Sequence, residues 1–492
     1  MPLLAILSWP LIALFFFAQM SFARALVIST LVGYLFLPEK FEVDLPGLPP
    51  VDKTLILMAG MLLGTLFFRR KVQQSKEPKL RNQDRRVGQI LNLAIIALLL
   101  APAFTMLSNR TAVVVGPVVL PAIRPWDFLG MTVETLSFLI PFLLARRHLA
   151  TVEQHRKVLV SLVLAGLLYS LLVVFEVRFS PQLHNWVYGY HQHSFLQHIR
   201  GDGYRPKVFL SHGLSVGFWL FTVTLAAFAL LRSHPQHNRG LYFLSAVWLF
   251  GVLFISKNLA ATVIALLLII VIMAPRSWQL RFVWVIVIPF LLYPAIRQSG
   301  FAPTDQITQL TERISPERAQ SFQFRLDNED QLLARALEKP VFGWGTWGRS
   351  LIYNDRGERT STSDGTWIIV LGESGWIGYL AFFTLLTVPL LALMRVRRRK
   401  DIPIATMALA LIMTGNLIYL IPNSALSPIG WLMAGALAGF VQFDREADPE
   451  QSDVQEVKNK GPRQYTRFAR PVVQDIDTGI PQTRSTSNPK RV

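Results

Sequence analysis

Two arginines and an aspartate stand in the polar stretches between apolar runs of this chain, and their chemistry is specific. Arg205 closes Gly201-Asp202-Gly203-Tyr204-Arg205-Pro206, just before one run. Arg325 lies in Gln323-Phe324-Arg325-Leu326-Asp327-Asn328-Glu329. Asp364, in Ser363-Asp364-Gly365-Thr366-Trp367, sits at the mouth of another run. A guanidinium carries a permanent charge and a fork of donors matched to phosphate oxygens. Two of them aimed at one diphosphate would stabilise the charge it gathers on departing, most strongly in a partly dry site. A carboxylate nearby can orient a hydroxyl and take its proton. The set therefore fits group transfer from a phosphorylated donor to a hydroxyl. Each residue also has a plainer reading. The arginines can anchor the chain by snorkelling to headgroups, and Asp364 can cap the helix after it.

Further polar groups sit close to these. Glu373, in Leu371-Gly372-Glu373-Ser374-Gly375-Trp376-Ile377-Gly378, falls two to three turns inside an apolar run, where an unpaired carboxylate is costly. A buried partner, a protonated state or a helix broken around Gly372 and Gly375 would each account for it. Glu134 poses the same question. Lys257, between two apolar runs, can face an outer cavity or occupy a short turn. His212 is expected about one turn inside the run after Arg205. Trp344, in Gly343-Trp344-Gly345, is read as an aromatic at the interface, shaping the site with Glu373. Five of the nine histidines lie between residues 184 and 212: His184, His191, His193, His198 and His212. With no cysteine and few carboxylates near them, interfacial polar contacts are favoured over zinc. No metal and no cofactor is expected.

The elements that must carry these residues are apolar helices. The chain has 492 residues, 52% hydrophobic, and no cysteine, which excludes disulfides and thiolate metal sites. Apolar runs fall near 3–19, 25–37, 54–68, 88–106, 128–145, 158–175, 208–231, 240–255, 259–274, 281–296, 367–394, 402–421 and 425–441. The expected fold is all-α: a polytopic helical membrane protein with twelve or thirteen spans. The first two runs form either two short helices or one element broken around Ser21-Phe22-Ala23-Arg24, with Pro10 adding a bend. The apolar start is not read as a cleavable signal peptide.

The net charge of +18 follows this pattern. Basic clusters occupy alternate loops, 69–86, 145–157, 232–239, 276–281 and 395–400, while the opposite loops are near neutral. That asymmetry marks one membrane face as cytoplasmic. It also disfavours nucleic acid, because no basic, aromatic-interleaved surface domain exists. Loops 38–53, 107–127, 176–207 and the long segment 297–366 are then expected outside. With thirteen spans the N-terminus is outside too. The tail 442–492 is expected inside and largely disordered, set apart from a membrane domain over 1–441. Within 297–366, Ser321 to Leu337 reads as a helix stopped by Pro340, followed by the Gly343-Trp344-Gly345 turn.

In this order the motifs resemble the O-antigen ligase and O-antigen polymerase superfamily over roughly residues 205 to 440. They are Arg205 before a long span, Arg325, and Ala336-x-x-x-Pro340-x-x-Gly343-Trp344-Gly345. Asp364-x-x-Trp367-x-x-x-Leu371-x-Glu373-x-Gly375-x-x-Gly378 and two closing spans complete them. The family places His-Asn nine residues before the Glu of its Glu-x-Gly-x-x-Gly stretch. Here that pair is Asp364-Gly365, so Asp364 is the substitute expected to act on the acceptor hydroxyl.

The resemblance implies a bacterial inner-membrane glycosyltransferase that is metal-independent, working on the periplasmic face in O-antigen or exopolysaccharide biosynthesis. Its donor would be an undecaprenyl-diphosphate-linked oligosaccharide. Arg205, Arg325 and Asp364 would be catalytic, and His212, Lys257, Glu373 and Trp344 would bind substrate. Membrane lipids and other polysaccharide-assembly proteins are the remaining partners implied. The Asp-Gly variant favours a polymerase over a ligase. Two rivals remain: a transporter or flippase for lipid-linked oligosaccharides, and a catalytically inactive relative in polysaccharide assembly.

Overall fold

The computed structural model describes residues 1–44, 49–68, 80–82, 84–200, 203–233, 239–301, 304–314, 316–397, 401–424 and 426–445. Gly201 and Asp202, parts of three basic loops (69–79, 234–238 and 398–400) and the tail from 446 onward lie outside the described residues.

The chain is predominantly helical, and each of the thirteen apolar runs falls on a helix. In chain order these are α1 (Pro2–Gln19), α2 (Phe22–Phe36), α3 (Lys53–Phe67), α4 (Arg85–Ser108), α5 (Pro125–His148) and α6 (Val152–Phe179). After the short α7 (Leu183–Tyr188) come α8 (Gly213–Ser233), α9 (Arg239–Ile255), α10 (Leu259–Met273) and α11 (Arg276–Leu291). The polar segment contributes α12 (Tyr293–Gln298), α13 (Thr304–Ile314) and α14 (Pro316–Leu337), before α15 (Thr366–Arg397), α16 (Ile404–Leu420) and α17 (Pro428–Gln442). Six of them, α1, α4, α5, α6, α8 and α15, are long and apolar enough to cross a membrane. Shorter apolar helices include α2, α3, α9, α10, α16 and α17.

The first two runs are separate helices that break at Met20 and Ser21, with Pro10 inside α1. The helix α14 begins at Pro316, five residues before the start its leucine spacing marks, and ends three residues before Pro340. One expectation needs correction. The run from 208 does not start a helix there: α8 begins at Gly213, because Glu176 captures the amides of Lys207 and Val208 outside it. His212 therefore stands at the helix mouth. The first residues of the tail, Phe443–Arg445, form a strand that pairs antiparallel with one over Leu80–Asn82.

The helix α8 is buried along nearly its whole length and packs against α6, α9, α10 and α16. The helices α16 and α17 are also almost wholly enclosed, and α17 packs chiefly on α5. Loops gather at the two ends of this bundle. At one end, buried Arg146 donates to Gln442 and Asn92. At the other, segments 38–53, 107–127, 176–212 and 297–366 interlock. The Glu39 amide meets His184, and the Tyr190 hydroxyl donates to the Glu39 carbonyl. Arg349, fully buried, donates to the carbonyls of Pro121 and Thr111 beside a small hairpin of the strands Val113–Val115 and Val118–Leu120. The α6 N-terminus carries a reciprocal cap between Thr151 and Gln154. Thr151→Ala should lower stability by about 1 kcal/mol, read as a small drop in melting temperature of the detergent-purified protein.

The long helix α15 is broken at Gly375, whose φ of 63° and ψ of −169° lie outside helical values. A break frees backbone donors and acceptors that must be paired within an apolar bundle. The loop 340–345 pairs them. The amides of Trp344 and Gly345 donate to the carbonyls of Gly372 and Glu373, at 2.8 and 2.9 Å. The amides of Trp376 and Ile377 donate to the carbonyls of Pro340 and Val341. Thr105 and Asn109, at the end of α4, hold the same loop through the carbonyls of Phe342 and Gly343.

Candidate functional site

Arg205 is placed by a carboxylate outside its own segment. Glu176, at the end of α6, accepts from the amides of Leu183, Lys207 and Val208 at 3.0, 2.8 and 2.7 Å. These bonds fix the stretch after Pro206 against the bundle, with Val208 at a φ of 51°. Arg205 is only 8% exposed. Its Nε donates to Asn258 Oδ1 at 3.1 Å, and its Nη2 meets the same oxygen. Asn258 is itself oriented by Ser256, to which its Nδ2 donates. Lys257, with a φ of 57°, brings its ammonium close to the backbone of Gly203. Arg205 and Lys257 thus share one loop cluster with His212.

Arg325 and Asp364 meet across the polar segment, with 3.6 Å between Nε and Oδ2. Both side chains are about two-fifths exposed (40% and 42%), so they are open to a ligand. Arg325 also donates from Nη1 to the Pro422 carbonyl at 3.4 Å, while Thr366 bonds to the Asn423 carbonyl. The Tyr419 hydroxyl donates to the Leu214 carbonyl. The guanidinium charges of Arg205 and Arg325 both act on that hydroxyl. Arg325 and Asp364 are thus brought together, while Arg205 is held on Asn258 and shares with Arg325 only an electrostatic influence on Tyr419.

A cavity of about 710 Å³ lies in this end of the bundle, and Arg205, Arg325, Asp364, His212 and Lys257 are not among the residues that line it. Ser211 and Ser215 line it from the Arg205 side, and Thr366 from the Asp364 side. Glu134 and Glu373 also line it, close enough for the charge of Glu134 to act on Glu373. Of the explanations open for Glu373, the broken helix is present, with a second carboxylate facing the same cavity. Trp344 is not at the cavity. It lies buried beneath Arg335 and Lys339, 3.5 and 4.5 Å over its ring, and its Nε1 donates to the Arg335 carbonyl. It braces the loop whose next residues, Gly345 and Thr346, do line the cavity.

Sequence reasoning passed over Asn258, Tyr419 and Glu329. Glu329 follows Arg325 by one helical turn, a spacing that signals a shared face. It is buried, and it accepts from Trp367 Nε1 at 3.4 Å and from the Tyr293 hydroxyl at 3.3 Å. Burial pushes its carboxyl up to about 7, against the opposing pull of the Trp367 bond and Arg297; Asp330 adds to the rise. The folded protein thus holds a proton here that the unfolded chain releases nearer 4.5. This contribution to stability is complete at low pH and is lost as pH rises through about 7. Glu329→Gln should flatten the fall in melting temperature between about pH 5 and pH 8. An unchanged profile would contradict that placement of the proton.

A scan against protein-family models finds no match, and no curated protein matches the chain.

Proposed function

We propose that this chain is a membrane glycosyltransferase that joins lipid-diphosphate-linked glycan units at the non-cytoplasmic rim of the bilayer, with twelve or thirteen helices spanning it. The observation that carries this reading is the ion pair of Arg325 and Asp364, with the charges of Arg325 and Arg205 both acting on Tyr419. The diphosphate of an undecaprenyl carrier would lie against the two guanidinium groups. The acceptor sugar hydroxyl would donate its proton to Asp364 as its oxygen bonds to the donor's anomeric carbon. The bond from that carbon to the diphosphate breaks, and its electron pair leaves with the diphosphate, stabilised by the arginines. Partial exposure of Arg325 and Asp364 suits a substrate that enters and leaves, while clamped Arg205 supplies a fixed charge.

Surface polysaccharide in the producing cell tests this. Asp364→Ala should shorten or abolish the chains while protein level stays normal; full-length chains would count against the proposal. A second reading is favoured by one observation: Glu134 and Glu373 face the cavity beside a broken helix, as in carriers that bind substrate at a discontinuous helix. A carrier of lipid-linked oligosaccharide would move the lipid between leaflets without lengthening its glycan.

A further inference from the structure

Three of the five histidines between residues 184 and 212 stand together. His184 is committed to Glu39 and Tyr190, whereas His193, His198 and His212 converge. Their candidate ligand nitrogens all lie within 4.8 Å of one another. The ring centroids are 4.6 to 5.4 Å apart. His198 is 0% exposed, and among the described residues neither of its ring nitrogens has a hydrogen-bond partner; the same holds for His193 Nδ1. Buried ring nitrogens without partners are costly, and native structures rarely leave them so. A divalent ion would engage them.

We propose that His193, His198 and His212 form a three-histidine site for a divalent transition metal of the zinc type. Three imidazoles with a fourth position open match the ligand set of zinc sites that keep a water or substrate oxygen. The imidazole-only donor set disfavours magnesium and calcium, which take oxygen ligands.

The scaffold holds each ring in place. Gln192 Nε2 donates to the carbonyls of Val208 and Leu210, at 3.0 Å each, fixing the loop that bears His193. The Arg205 amide donates to the His198 carbonyl at 2.8 Å, extending the pairing of Ile199 with Tyr204. The His212 carbonyl accepts from the amides of Ser215 and Val216, in the first turn of α8. Burial first, then the charges of Lys207, His212, His193 and Arg205, push His198 down to about 3. Burial likewise lowers His193. Two features shape the affinity. Zinc–nitrogen bonds of about 2.0–2.1 Å require the rings to close inward from their present spacing. The Leu214 amide, 3.0 Å from His212 Nδ1, competes for that ring's lone pair. Lys207 and Arg205 close by make the open position suited to an anionic oxygen, such as hydroxide or phosphate.

The proposal does not depend on the transfer reading, and its test reads binding alone. The full-length protein, purified in detergent with a tag free of histidine and stripped with chelator, is titrated with zinc against a chromophoric chelator. One zinc per chain is expected. Binding should weaken at least about 10- to 100-fold in His193→Ala and His198→Ala and persist in His184→Ala and His191→Ala. Cobalt loading of the unaltered protein should give the strong visible absorption of a four-coordinate ion, a readout independent of whether any variant folds. No stoichiometric zinc in the unaltered protein would overturn the site, as would binding that survives loss of His193 or His198.

Discussion

Arg325→Ala should slow glycan transfer by about 10²- to 10³-fold while the protein is still made and inserted. That range is the usual effect of removing one preorganised donor from charge developing in a transition state. The effect should fall on activity because the arginine supports little structure. Its side chain is 40% exposed, and its contacts are a 3.6 Å ion pair and one 3.4 Å bond to a carbonyl. An exposed pair of this kind contributes about 0–1 kcal/mol to folding. Arg325→Lys should fall between, since an ammonium keeps the charge but loses the fork. Initial rates of chain extension, normalised to protein in the membrane, decide the matter. Equal rates for the Arg325→Ala variant and the unaltered protein would remove the residue from the site.

Gly343→Ala should destabilise the protein by at least about 3 kcal/mol. Gly343 has a φ of 69°, and a Cβ there would run into the backbone of Glu373 and Gly375. The neighbour cannot yield, because that backbone is the break in α15 and its freed carbonyls are paired by the same loop. Gly375→Ala meets the reverse obstacle, the Val341 carbonyl, at a φ of 63°. Both variants should give low yield or a strongly lowered melting temperature. Gly251→Ala, in the open on α9, has nothing within 4 Å of the added carbon. It should be neutral or stabilise by about 0.5–1 kcal/mol. Similar behaviour of all three variants would refute the splint between loop and helix.

The apolar helices were legible because a long hydrophobic run has few other solutions, and every run became a helix. Helix starts were less legible where a distant side chain intervened. Nothing near Val208 reveals that Glu176, more than thirty residues earlier, withholds its amide from α8. The break at Gly375 was foreshadowed by Glu373 among glycines, but its partner loop was not. The loop's glycines announce a turn, and only tertiary contact shows that the turn repairs a helix. Trp344 illustrates the limit of reading an aromatic as interfacial: two cations on its own loop and helix bury it. Asp364 was readable as a carboxylate at an apolar boundary and Arg325 as a cation within the long polar segment, whereas Asn258 and Tyr419 carry no such mark. The convergence of three histidines depends on how a loop, a short turn and a helix mouth fold together, which their spacing alone does not encode.

Proteoliposomes holding the purified protein and an undecaprenyl-diphosphate-linked oligosaccharide provide the most direct measurement. The account predicts longer glycans, with one undecaprenyl diphosphate released per unit joined, and loss of both products in the Arg325→Ala protein. Lipid that changes leaflet with its glycan unextended, or extension that proceeds equally without Arg325, would contradict it.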